Sequence, residues 1–218
     1  IWYRDFSINN ELSTLSRYLL LKGAFAYPGF SIIIDLALDV PVLKSGIRKS
    51  YTSLINWGLR ELEPRIFSAE ELTWEHMDRF RQLHIREAGK ETRSETTWRR
   101  QFEMVQAGEA FVVLGYNKGE FVSAGLFFHS LTNCYYGVSA SRRDLFEKPM
   151  FHALMWTAIL HARTLGCRWF EVGEQYYPNH PSDHPSSTKK MGISEFKAGF
   201  GGETRIFLDL KTGRNLQK

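Results

Sequence analysis

Cysteine is scarce. Only Cys134 and Cys167 occur in 218 residues, far apart and outside any Cys-x-x-Cys or Cys/His ligand spacing. That excludes a disulfide framework and a structural zinc site, and it favours a reducing compartment, the cytoplasm. A long uninterrupted apolar run is also lacking. The most apolar N-terminal stretch, Leu19 to Leu38, is broken by Lys22, Pro28 and Asp35, so it does not serve as a membrane span and does not read as a signal peptide. There is no Gly-x-Ser-x-Gly elbow and no local Cys/His signature, which removes the usual covalent nucleophiles. No internal repeat occurs. An excess of one charge is missing too: 28 Lys+Arg against 24 Asp+Glu give +4. This permits an anionic partner, such as a phosphate-bearing substrate, RNA or peripheral contact with a membrane surface, without requiring one. Nothing points to DNA. The chain opens at Ile1 rather than Met, in keeping with processing or with a piece of a longer protein.

What is present is an ordinary globular composition, 43% hydrophobic and 24% charged, enough for one large domain or two small ones. Residues 1–30 show no clean period and read as an extension or a remnant of a preceding domain: a short helix near Glu11–Leu21, then an aromatic loop with Pro28 and Gly29. Residues 31–218 read as the main domain. Ser31–Leu36 is a β-branched strand. Val42 to Leu62 carries Leu43, Ile47, Leu54, Ile55, Leu59 and Leu62 at helical spacing, with Pro41 at its start and Pro64 past its end. Two more helical patterns follow, Glu70 to Glu87 and Glu95 to Ala107. The period then changes to extended at Phe111–Tyr116, Phe121–Ser130 and Tyr135–Ser139, with Asn117-Lys118-Gly119 as a turn. Met150 to Leu165 is the strongest helix, bounded by Pro149 and Gly166. The strand Trp169–Val172 follows, completing a β-α-β unit. A polar loop, a short helix at Ile193–Ala198 and a strand at Thr204–Leu210 close the chain. The expected class is α/β (α+β), a mixed and mostly antiparallel sheet flanked by helices.

This element order is that of a GNAT acyltransferase domain, and three segments sharpen it. They are Asp35-Leu36 with Gly46-Ile47-Arg48-Lys49-Ser50-Tyr51-Thr52-Ser53-Leu54-Ile55-Asn56, then Trp156–Gly166 leading into Phe170-Glu171-Val172-Gly173, and Ile193-Ser194-Glu195-Phe196-Lys197-Ala198-Gly199-Phe200-Gly201-Gly202. Together they resemble the Fem-type, or FemAB-like, branch of the GNAT superfamily over about residues 31–210, and the last segment is similar to that family's FK-x-x-FG signature. The resemblance implies amide-forming transfer of an aminoacyl group from aminoacyl-tRNA to a cell-envelope acceptor, with no cofactor. Full Fem-type enzymes carry two such domains, and this chain has room for one plus a remnant.

Acyl transfer needs both reactants held, a proton accepted and an oxyanion stabilised. The resemblance makes Lys197 the first catalytic candidate, its ammonium facing the reacting ester; a merely solvated lysine is the alternative. Phe196 is a wall of the site or of the core. Gly199, Gly201 and Gly202 allow backbone to approach a ligand, or simply turn. Glu171 and Glu174, at the end of a strand, are candidate proton acceptors. Lys44, Arg48, Thr52 and Asn56, four apart, form one polar row on the second helix. There Arg48 and Lys49 suit the phosphates of a lipid- or nucleotide-linked amine acceptor, or make a solvated basic face. Asp35 caps or ion-pairs.

The alternative donor is acetyl-CoA or another acyl-CoA, with an amino sugar or similar amine as acceptor. Its pyrophosphate would sit at Ser141–Pro149, where Arg142, Arg143 and Lys148 are basic but glycine is absent. A third reading is a non-catalytic GNAT-like binding module. His180, Asp183 and His184 lie in a proline-rich loop that cannot align them as in a helical metal motif, so no metal is expected and a substrate lid is the better reading. His152 and His161 read as helix-surface or core residues.

Overall fold

The computed structural model describes residues 2–6, 11–145, 147–178 and 188–213. The chain divides into two units, one made of residues 1–34 with 172–218 and the other of residues 35–171.

The larger unit contains α2 (Val40–Ser45), α3 (Lys49–Glu61), β3 (Arg65–Phe67), α4 (Trp74–Ala88), α5 (Glu95–Gln106), β4 (Ala110–Asn117), β5 (Glu120–His129), β6 (Asn133–Ser141), α6 (His152–Thr164) and the start of β7 (Trp169–Glu174). β3 through β6 are antiparallel neighbours. β6 and β7 run parallel from Asn133↔Trp169 to Tyr135↔Glu171, as a strand-helix-strand crossover through α6 requires. The sheet is therefore mixed and mostly antiparallel.

β4 reads as a continuous apolar run because it is covered on both faces. Val112 and Leu114 pack with Met77 and Phe80 of α4 and Trp98 and Val105 of α5. The alternate residues look the other way: a Cβ on Gly115 would meet Leu154 of α6 at 2.9 Å, and the Phe111 ring stands edge-on to His161 of the same helix. Polar caps set the helix starts. Ser94 accepts from the Thr97 amide, and Thr73 and His76 form a reciprocal capping box.

The smaller unit contains β1 (Trp2–Phe6), α1 (Thr14–Leu21), most of β2 (Phe25–Asp35), α7 (Thr188–Ala198) and β8 (Glu203–Lys211). β8 lies between β1 and β2 and is antiparallel to both. Ser13 caps α1 by accepting from the Ser16 amide. The buried Asp5 carboxylate of β1 accepts from the Ser13 amide at 2.9 Å and from the Ser16 hydroxyl, pinning the helix to its strand.

Three sequence expectations are corrected. The aromatic loop around Pro28 and Gly29 is a strand: β2 begins at Phe25, so the boundary placed after residue 30 falls inside it. Gly29 fits there because the Phe207 ring of β8 covers it, where a Cβ would come within 2.2 Å of Cζ. The single helix over Val42–Leu62 is two helices, α2 and α3, separated by Gly46–Arg48. Its row is broken accordingly: Lys44 is on α2, Arg48 is the residue that starts α3, and only Thr52 and Asn56 lie within α3. Finally, β1 and β3, unread in the sequence, are strands.

Candidate active site

In the smaller unit β7 ends at Glu174, and this end is where the predicted residues gather. Gly173 has φ +114, and a Cβ on it would stand 2.7 Å from Lys197 Nζ. A side chain there would be strained by the backbone and would push the ammonium from its place. Lys197, half-buried in the last turn of α7, donates to the Glu174 carbonyl oxygen at 3.4 Å.

The Glu174 carboxylate has both oxygens engaged. Oε1 accepts from Arg4 Nη2 at 2.7 Å, and Oε2 accepts from the Tyr176 hydroxyl at 2.6 Å. Arg4 also donates from Nε and Nη2 to the two oxygens of Asp209, at 2.8 and 3.0 Å. Its guanidinium lies over the Phe207 ring, 3.8 Å from the centroid. The sequence dictates this layering. Gly29 leaves room for the Phe207 ring, Phe207 supports Arg4, and Arg4, in register with Asp209 across β1 and β8, bridges two carboxylates in the fork geometry that arginine suits. Tyr176 is held in turn, since its amide donates to Ser194 Oγ on α7 at 2.9 Å.

Burial pushes the Glu174 carboxyl up. The hydrogen bonds from Tyr176 and Arg4 and the charges of Arg4 and Lys197 outweigh that and hold it below the usual carboxylate range. Glu174 is thus an ionised, fully engaged anion, a weak proton acceptor and a good counterion for Lys197.

A lowered folded pKa stabilises the protein above the unfolded value, near 4.3 for glutamate, and that contribution is lost as pH falls through the folded value. Glu174→Gln should therefore flatten the acid limb of stability against pH, measured as the unfolding temperature from pH 7 to pH 3. A wild-type-like slope in the variant would remove Glu174 from the acid response. Asp5, held low by Ser16 and Ser13 against its burial, keeps part of that limb in both proteins.

Phe196 stands edge-on to the buried Phe200, centroids 5.1 Å apart, and forms a wall of α7. Gly201 and Gly202 both have φ +86 and carry the chain from α7 into β8. Glu171 is 4% exposed and pairs in register with Tyr135. His180, Asp183 and His184 lie outside the described residues, and no group of three metal-ligating side chains occurs among those described.

The larger unit holds the remaining candidates. Arg48 and Lys49 stand exposed at the start of α3, whose first turn has no acidic residue. The Arg48 guanidinium is 5.1 Å from the Tyr51 ring centroid. Tyr51 meets His152 of α6 edge-on at 4.5 Å, and burial drives the His152 pKa down to about 4, keeping it neutral. Asn56 is exposed further along α3.

The candidate pyrophosphate turn at 141–149 is described except for residue 146. Arg142 is engaged by Glu120 and Asp144, at 2.9 and 2.5 Å. Four amides of the turn donate within the protein: Arg142 to Val122 O, Arg143 to the Glu87 carboxylate, Leu145 to Arg142 O and Lys148 to Leu145 O.

No protein-family model matches the chain, and no curated protein matches it. Solved structures do. FemX superposes with TM-score 0.66 at 11% identity over 89% of this chain and 67% of its own. The C-terminal domain assigned to a lysylphosphatidylglycerol synthetase of Agrobacterium fabrum gives TM-score 0.67 at 14% identity, over 91% of this chain and 65% of its own. The fold is GNAT-like and is shared with these structures. L-PGS of Bacillus licheniformis shares it with TM-score 0.63 at 15% identity, over 92% of this chain and 66% of its own. The chain thus spans about two thirds of the length of these structures.

Sequence reasoning missed Arg4 and Tyr176. The first lies 170 residues from the carboxylate it holds, and its only local trace is the alternation of Trp2, Arg4 and Phe6. The second sits in a stretch that reads as an undifferentiated polar loop.

Proposed function

We propose that the chain is an acyltransferase of the Fem type, moving an aminoacyl group from aminoacyl-tRNA onto the amine of a lipid- or nucleotide-linked cell-envelope acceptor in the cytoplasm, with no cofactor. The observation that carries this reading is the Lys197 ammonium seated on Gly173 beside the ionised Glu174. A fixed cation at a strand end, backed by a counterion that does not take its proton, suits a developing oxyanion. The acceptor nitrogen forms a bond to the ester carbonyl carbon, and the bond to the ribose oxygen breaks. The amine proton passes to that leaving oxygen, directly or through water, so Glu174 need not act as a base. In the larger unit, Arg48 and Lys49 at the start of α3 are exposed cations suited to a phosphate group.

Two features support an aminoacyl donor over acyl-CoA. One is the engagement of Arg142 by Glu120 and Asp144 and of four amides of the 141–149 turn within the protein. The other is the fold shared with proteins whose names include FemX and lysylphosphatidylglycerol synthetase. The discriminating experiment pairs two ligands. Calorimetric titration with acetyl-CoA should give no saturable heat, while incubation with a mixed pool of charged tRNA and an amine-bearing cell-envelope precursor should move label to the precursor. Stoichiometric binding of acetyl-CoA would overturn this reading and return the 141–149 turn to consideration.

A further inference from the structure

The apolar stretch that begins at Leu19 is too short and too interrupted to cross a membrane, and no described helix can do so. In the structure much of it is on the surface. Leu21 is 86% exposed, and Phe25 and Tyr27 are about half exposed. Lys22, Gly23, Ala26 and Pro28 are exposed between them, so the link from α1 to β2 presents apolar side chains to solvent. On the outer stripe of α1, Leu15 and Tyr18 precede Leu21 at helical spacing and are exposed as well. At the same end of the strands Trp2, 61% exposed, Lys211 and Phe25 form one cross-strand row over β1, β8 and β2.

Cations border this surface. Lys22 lies over the Tyr18 ring, Lys211 lies over the Tyr27 ring, and Arg17 stands on α1. Of the nearby acids, Asp209 is engaged by Arg4, which leaves Glu11, a distant partner of Arg17 at 3.8 Å.

We infer that this tip of the smaller unit docks on an anionic phospholipid surface, inserting Leu21, Phe25 and Trp2 to the depth of the headgroups while Arg17, Lys22 and Lys211 meet lipid phosphate. The composition separates this occupant from the others. Single-stranded RNA would use the aromatic rings for stacking and has no use for Leu15 and Leu21. A bilayer interface takes aliphatic side chains, tryptophan, tyrosine and lysine together. Trp2 reaches Arg4, whose guanidinium is 5.5 Å from the tryptophan ring centroid. Leu21, Lys22 and Lys211, the residues substituted in the test, are not among the contacts that hold Lys197 and Glu174, so vesicle binding can be lost without loss of the transfer reaction.

The test is flotation of the whole chain with vesicles of phosphatidylglycerol and phosphatidylcholine at one to three, and with phosphatidylcholine alone. Binding is expected to the anionic vesicles and to weaken with salt. Losing two cations in Lys22→Ala with Lys211→Ala should weaken it about thirtyfold. Leu21→Glu should weaken it by at least roughly tenfold, with circular dichroism confirming an unchanged fold, since the side chain has little to lose at 86% exposure. Failure of the wild-type chain to float with anionic vesicles would overturn the inference. So would unchanged flotation of both variants, or tight binding of a single-stranded oligoribonucleotide in place of vesicles.

Discussion

Replacing Lys197 with methionine should lower the rate of the proposed aminoacyl transfer by about 10²–10³-fold, the usual consequence of removing one oxyanion donor, with little change in the unfolding temperature. The expectation rests on placement. The ammonium lies on the one residue of β7 that has no side chain to exclude it, and the lysine is only partly buried. Methionine keeps the stem and deletes the charge, so packing survives. Arginine should not restore the rate, because its wide planar fork does not replace a compact point charge above Gly173. A second readout separates chemistry from collapse. Without the cation the Glu174 carboxyl loses one of the influences that hold it low, so its titration should shift upward in the variant. Full turnover in a folded Lys197→Met protein would end the assignment.

Gly202→Ala should be the most damaging small substitution in the described chain, costing about 3 kcal/mol, which at this size lowers the unfolding temperature by roughly 10 °C. Two costs combine. The residue has φ +86, where a Cβ is strained, and the added carbon would meet the Ile33 carbonyl oxygen at 2.6 Å. That oxygen belongs to the backbone of β2 and cannot swing aside as a flexible side chain would. Thermal unfolding followed by circular dichroism checks it, and a loss under about 1 kcal/mol, small for a strained backbone site, would show that the α7–β8 junction is looser than described. The glycine signature after Lys197 then has a mechanical meaning, for the same junction delivers α7 to the sheet and so places the lysine.

Much of the larger unit was legible because its signals are local. The helical spacing from Phe151 to Ala162 and the turn at Asn117-Lys118-Gly119 are contained within a few residues, and α6 and the β4–β5 hairpin form there. The errors arose where a distant residue overrode a local rule. Pro28 and Gly29 punctuate a sequence, yet the Phe207 ring 178 positions on gives Gly29 a place in a strand. The apolar period runs across Gly46 without a break, but the chain turns there, so a basic row drawn on a helical wheel lost two of its four members from one helix. In the candidate site, Lys197 carried a motif and was named from it. Arg4 carried none, because its role comes from strand register with Asp209 and from reach to Glu174, and neither is written near it.

Gly173 and Lys197 occupy the same few ångströms, and that ties their histories. A chain that gained a side chain at 173 would strain a backbone held at φ +114 and push the end of the lysine aside. Among relatives that keep the lysine in this place the glycine should therefore be kept too, and a side chain at 173 marks a sequence in which the ammonium has moved.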